Sequence, residues 1–143
     1  MSDDYLIEPI QFGVGNEIGT ITSNISSNAI GCAKYKELAV NIKVGTPSGT
    51  SPTLSISFLV YDPQLGYGGP PVAILTFNLT PTALSAAATL RLVISNGVAT
   101  LWNGSTSTTL GNLSVPALWG LSFTVGGTSP SWPIDNLDYE ARK

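Results

Sequence analysis

The chain has no histidine, one cysteine, and charged side chains at only 10% of its 143 positions. Each shortage excludes a class of chemistry. Without histidine there is no Ser-His or Cys-His nucleophilic pair and no imidazole ligand for a metal. The single cysteine, Cys32, allows no internal disulfide and reads as a small buried thiol. An ordinary domain carries about 25% charged residues, so hydroxyl side chains must supply most of the polar surface here. The six basic residues (Lys34, Lys36, Lys43, Arg91, Arg142 and Lys143) are scattered, and the net charge is −3. Phosphate binding needs clustered Lys and Arg, so nucleic acid is not an expected partner. No apolar run approaches the ~18 residues of a membrane span, and no membrane partner is expected. Met1-Ser2-Asp3-Asp4 is acidic where a secretory signal is basic, which predicts synthesis and assembly in the cytoplasm.

Helical periodicity is nearly absent too, and what replaces it is alternation with period two. Leu38, Val40, Ile42 and Val44 alternate with Ala39, Asn41 and Lys43, and Leu54, Ile56, Phe58 and Val60 alternate with Ser55 and Ser57. Further strands are expected around 72–79, 89–95, 98–102, 118–125 and 132–141, where β-branched and aromatic residues fit a pleated surface. Asn96-Gly97 is the strongest hairpin signal, because both positions of a type I′ turn need φ > 0. Asn103-Gly104 predicts a second turn. Pro47 to Thr50, Asp62-Pro63 and Gly66 to Pro71 read as loops, and Pro81 to Ala88 as a stretch with room for one helical turn.

These elements predict an all-β fold: a single β-sandwich or β-barrel-like domain over 34–143, preceded at 1–33 by an extended N-terminal arm or edge segment. A chain of this length buries roughly 70% of its unfolded surface, so it needs neither disulfide nor metal to fold. Gly13 to Ala33 is rich in Gly, Asn, Ser and lone Ile, with room for at most one short strand. It either reaches a neighbouring subunit or folds over its own domain. In the first case Tyr5, Ile7, Ile10 and Phe12 are the expected contacts of an assembly arm. Gly49-Thr50-Ser51-Pro52-Thr53 recurs as Gly127-Thr128-Ser129-Pro130-Ser131. This reads as one kind of turn used at two strand connections, where Gly permits the bend and Pro fixes φ ahead of the next strand.

No catalytic or metal-binding set and no cofactor emerges. Of the nine carboxylates, Asp135, Asp138 and Glu140 cluster, and Asp138 and Glu140 share a face if that segment is a strand. A solvated acidic edge that discourages sheet aggregation explains them. A calcium site or the two opposed carboxylates of a glycosidase are the rival readings. Gly13-x-Gly15-x-x-x-Gly19 lacks the spacing and following helix of a dinucleotide fingerprint. Trp102, Trp119 and Trp132, with Tyr61 and Tyr67, are candidates for interface or glycan contacts. Core or interface anchoring is the main reading for the tryptophans, and Tyr61 and Tyr67 are the expected exposed pair.

Tyr35-Lys36-Glu37-Leu38-Ala39-Val40-Asn41-Ile42 followed by Ser48-Gly49-Thr50-Ser51-Pro52-Thr53-Leu54-Ser55-Ile56 resembles a pattern of tailed-bacteriophage virion proteins. The run Leu121 to Ser131 resembles the closing segment of the same proteins, with Trp132 in the aromatic place. The resemblance implies a non-enzymatic structural protein of the virion, assembled in the host cytoplasm and most naturally decorating the outside of the head. Its implied partners are further copies of itself, as a homotrimer, and the major capsid protein. A tail or baseplate component, or a glycan-binding module of the virion, is the alternative.

Overall fold

The computed structural model describes residues 5–13, 16–64 and 72–143. They form strands β1 (Tyr5–Pro9), β2 (Gln11–Phe12), β3 (Asn16–Glu17), β4 (Thr20–Ile21), β5 (Ile25–Ser26), β6 (Ile30–Gly31), β7 (Glu37–Val44), β8 (Ser48–Asp62), β9 (Val72–Asn78), β10 (Ala88–Ser95), β11 (Val98–Asn103), β12 (Thr106–Asn112) and β13 (Leu118–Arg142). The described residues contain no helix, and the all-β expectation holds.

Most of the architecture follows from one ribbon. β7 and β8 together run antiparallel along the whole of β13, from Glu37 opposite Arg142 to Tyr61 opposite Leu118. The ribbon bends in its middle, so its two ends belong to two facing sheets. The larger sheet has the order β12-β11-β10-β7-β13-β1, and the smaller one adds β8 and β9 on one side of β13 with β5 and β6 on the other. Alternation decides which side chains meet between them. Leu38, Val40, Ile42, Leu92, Ile94 and Leu137 from one sheet join Leu54, Ile56, Phe58, Leu121 and Phe123 from the other in a single core. Trp119 crosses the gap. Its ring stacks on Phe58 with centroids 5.3 Å apart and meets Tyr139 of the opposite sheet edge-on at 5.3 Å.

At the bend the two Gly-Thr-Ser-Pro copies face each other. Thr50 pairs with Thr128, flanked by Ser48 opposite Ser131 and Thr53 opposite Gly126, so the copies are related by a local two-fold. A Cβ on Gly49 would lie 2.5 Å from the Ser129 carbonyl oxygen, and one on Gly127 would lie 2.5 Å from that of Ser51. Gly49 and Gly127 have φ of 108° and 97°, and Ser51 and Ser129 have φ of 49° and 48°. Left-handed backbone just before proline is disfavoured, and it recurs here at the same step of both strands. The repeat is therefore not a turn between strands, as its sequence predicted, but a paired irregularity inside two long ones. It also joins the strands expected at 118–125 and 132–141 into one.

The N-terminal residues line the free edge of β13. β1 pairs with its end, β4 with Trp132-Pro133, β5 with Ser122-Phe123 and β6 with Leu118-Trp119. The lone isoleucines are pegs: Ile21 is buried, and Ile18, Ile25 and Ile30 pack against the core. Asn24, Ser27 and Asn28 give side-chain hydrogen bonds in place of a regular ladder. Val125 N–H donates to Asn24 Oδ1 at 2.9 Å, Leu121 N–H to Ser27 Oγ at 2.9 Å and Gly13 N–H to Asn28 Oδ1 at 2.9 Å. More than one short strand is thus present in 13–33. Ile10 and Phe12, expected among assembly-arm contacts, are buried in this domain's own core, with Phe12 against Phe123 at 5.9 Å.

Asn96-Gly97 makes the expected turn, with both φ positive (53° and 77°) between Ser95 and its partner Val98. Asn103-Gly104 begins the next, between β11 and β12. Only 45–47 separates β7 from β8, so the loop expected at 47–50 lies mostly within β8. No helical turn forms in 81–88. Leu84 instead bridges to Leu54 through two backbone hydrogen bonds of 2.8 and 2.9 Å. The loop expected from Gly66 to Pro71 lies outside the described residues.

Candidate functional site

Two surfaces stand out, and they are chemically opposite. The first is the outward face of the larger sheet. On β7, Glu37, Ala39, Asn41 and Lys43 alternate with the core residues and point outward. Strand register then sets Asp138, Asn41, Arg91 and Trp102 side by side on successive strands β13, β7, β10 and β11. Directly opposed residues share a face, so these four form one row across the sheet.

A hydrogen-bond network holds that row. The Asn41 amide donates to Asp138 Oδ1 at 2.7 Å and to Glu140 Oε2 at 3.1 Å. Arg91 Nη1 donates to Asn41 Oδ1 and to Glu140 Oε2, the latter at 2.7 Å. From β1, Tyr5 OH donates to Glu140 Oε1 at 2.5 Å, and the Arg142 guanidinium lies 5.1 Å from the Tyr5 ring centre. The hydrogen bonds from Tyr5, Arg91 and Asn41 hold the Glu140 carboxyl well below the usual range, at about 2. The same bond raises the pKa of the Tyr5 phenol. Asp138 and Glu140 do share one face, as their spacing predicted. They are tied to Asn41 and Arg91, however, and are not a bare acidic edge. Among the described residues, no three acidic or cysteine side chains converge as they would around a metal ion.

The second surface is uncharged. Between Asp62 and Asp135 the sequence has a single charged residue, Arg91. This stretch supplies β9, β10, β11, β12 and the first half of β13, and so both outer margins of the sandwich. β9 is an edge strand that presents Val72, Ile74 and Leu75 at 47%, 56% and 45% exposure. A register shift opposite Val60/Tyr61 interrupts its ladder. Nearby, a cleft of about 500 Å³ is floored by Leu79, Leu90 and Leu101 and rimmed by Thr80, Thr106 and Thr108.

The aromatic candidates separate cleanly. Trp119 and Trp132 are fully buried, because their strands turn them into the core. Trp119 Nε1 donates to Cys32 Sγ at 3.2 Å, whereas Trp132 Nε1 has no partner among the described residues. Tyr61, expected to be exposed, is half-buried with its ring against Gly120, where a Cβ would come within 3.1 Å of it. Tyr67 lies outside the described residues. Trp102 alone of the three tryptophans is open to solvent, at 41%. Arg91 and Asn41, which complete its row, were not among the sequence candidates. They come from separate strands, and only the strand order brings them together.

No protein-family model and no curated protein matches this chain. Among solved structures it is similar to a Bacillus licheniformis beta-glucanase (12% identity, all of both chains, TM-score 0.43). It is also similar to the carbohydrate-binding module CBM66 from Bacillus subtilis (11% identity, 96% of each chain, TM-score 0.43). A third is VP2 of the infectious bursal disease virus subviral particle (14% identity, 98% of this chain and 30% of that one, TM-score 0.35). An enzyme, a binding module and a viral shell protein thus all resemble it remotely, and such likeness selects no activity.

Proposed function

We propose that this chain is a non-enzymatic structural protein of a tailed-phage particle that coats the outside of the head and assembles through its uncharged margin. The observation that carries the assembly reading is β9. Its apolar side chains stand exposed on an edge strand that carries no charged residue of its own, where edge strands are often blunted with Lys. An apolar edge without charge associates with its like without repulsion. Support for the virion comes from the phage resemblance, whose segments are the two sides of one physical unit, the bent ribbon and its corner. Copies of the chain, as a trimer, and the major capsid protein are the partners this reading requires.

Light scattering over a range of concentrations tests it. The expected species has about three times the 14.9 kDa chain mass, and Leu75→Lys should shift it toward monomer without unfolding the domain. A protein that stays monomeric and does not bind phage heads would refute the reading.

A further inference from the structure

We infer that the outward face of the larger sheet is a binding site for a neutral oligosaccharide, laid across the strands along the row Trp102, Arg91, Asn41 and Asp138. This does not depend on the assembly reading, which uses the other surface. Three features of the face specify the ligand class.

The first is the aromatic at the end of the row. Trp102 is exposed while the other two tryptophans are buried, and a solvent-facing indole offers a flat apolar platform for the C–H face of a sugar ring. The second is the polar part. Arg91, Asn41, Asp138 and Glu140 alternate donors with acceptors and are fixed by one another at 2.7–3.1 Å. Side chains already held in place lose little rotamer freedom on binding. Their remaining donor and acceptor positions match hydroxyls, which both give and accept hydrogen bonds. The third is charge. The outward face carries Glu37, Asp135, Asp138 and Glu140 against Lys43, Arg91 and Arg142, four acids to three bases, so its net field is too small to select a strongly charged ligand.

The shape agrees with an extended ligand. Strands lie ~4.8 Å apart, so the row from Trp102 to Asp138 spans about 14 Å, the length of a short oligosaccharide. Beside the row lie a depression of about 140 Å³ with Ala39 and Val93 at its floor and, at the Asp138 end, an open one of about 310 Å³. A chain laid along the row can pass over both.

Titration of the intact protein with cello-, malto- and laminari-hexaose, against alginate and heparin oligosaccharides as anionic controls, tests the inference. Calorimetry gives affinity, and protection of tryptophan emission from acrylamide reports Trp102, the only solvent-facing tryptophan. Binding of at least one neutral hexasaccharide with that protection is expected. Trp102→Ala and Arg91→Met should each weaken it at least ten-fold, Trp102→Tyr should restore part of it, and none should change the solution mass. Binding of no neutral hexasaccharide at millimolar concentration, preference for the anionic controls, or unchanged affinity in Trp102→Ala would each overturn it.

Discussion

The ribbon formed by β7, β8 and β13 and the margin formed by β9 and β12 use the same strand chemistry in opposite ways. In the ribbon, every second side chain of Leu38–Val44 and Leu54–Val60 is buried, and at the β7 end its outward residues are charged or amide side chains hydrogen-bonded to one another. In the margin, β9 leaves apolar side chains in solvent, and β12 opens with four exposed Ser and Thr residues. The ribbon therefore commits its apolar side chains to the core, whereas the margin leaves apolar side chains of β9 in solvent. A low overall charge conceals this division, because the few charged residues are gathered onto one part of the fold.

The contrast can be broken most severely from inside the ribbon. Trp119→Ala removes the ring that joins the sheets and should cost about 3–5 kcal/mol, against a total of ~5–15 kcal/mol for a typical protein. Urea unfolding should show a large drop in midpoint, while Leu75→Lys on the margin should stay within about 0.5 kcal/mol of the parent. Gly127→Ala comes next. Its Cβ would clash with the Ser51 carbonyl and its φ is unfavourable for any L residue, so a loss of about 2–3 kcal/mol is expected, visible as a lowered Tm.

Acid sharpens the comparison with a smaller effect. Glu140 has its carboxyl lowered from 4.5 to about 2. Its contribution is present above the unfolded value and disappears as pH falls from about 4.5 toward 2. Glu140→Gln should flatten the stability–pH curve in that window and lower its plateau at higher pH, with the two proteins converging as pH falls toward 2. At the alkaline end, burial pushes the Tyr139 phenol up to about 12, so stability conferred by its neutral form should fall as pH rises from 10 through 12. The finest comparison is between the two buried tryptophans, Trp132 and Trp119. The buried indole N–H of Trp132 has no partner among the described residues, so Trp132→Phe should cost less than Trp119→Phe, which breaks the bond to Cys32. Equal losses in parallel thermal melts would contradict this.

Much of the fold was legible because alternation in Leu38–Val44 and Leu54–Val60 reports burial directly, and Asn96-Gly97 specifies a turn by φ alone. β12 was not legible: Thr106–Asn112 has one large apolar residue, Leu110, and pairs through its backbone. The Gly-Thr-Ser-Pro repeat was visible as a repeat, but sequence does not show that its copies face each other across a ladder. The short N-terminal strands escaped because each is two residues long and held by a single Ile or an Asn or Ser side chain. At the site, only the shared face of Asp138 and Glu140 could be read locally. Asn41, Arg91 and Trp102 lie on three other strands, and their neighbourhood is a property of topology.

The placement of β13 has a consequence for how the chain acquires its structure. Every strand that pairs with β13 precedes it on the chain, so during synthesis β1, β4, β5, β6, β7 and β8 all emerge from the ribosome before their common partner exists. Neither sheet can close over the core until that strand arrives. Contacts of such long sequence separation place a domain among the slow folders, on a scale of milliseconds to seconds. The nascent chain meanwhile holds its apolar β8 and β9 segments unprotected, at the stage when a chaperone would have most to bind.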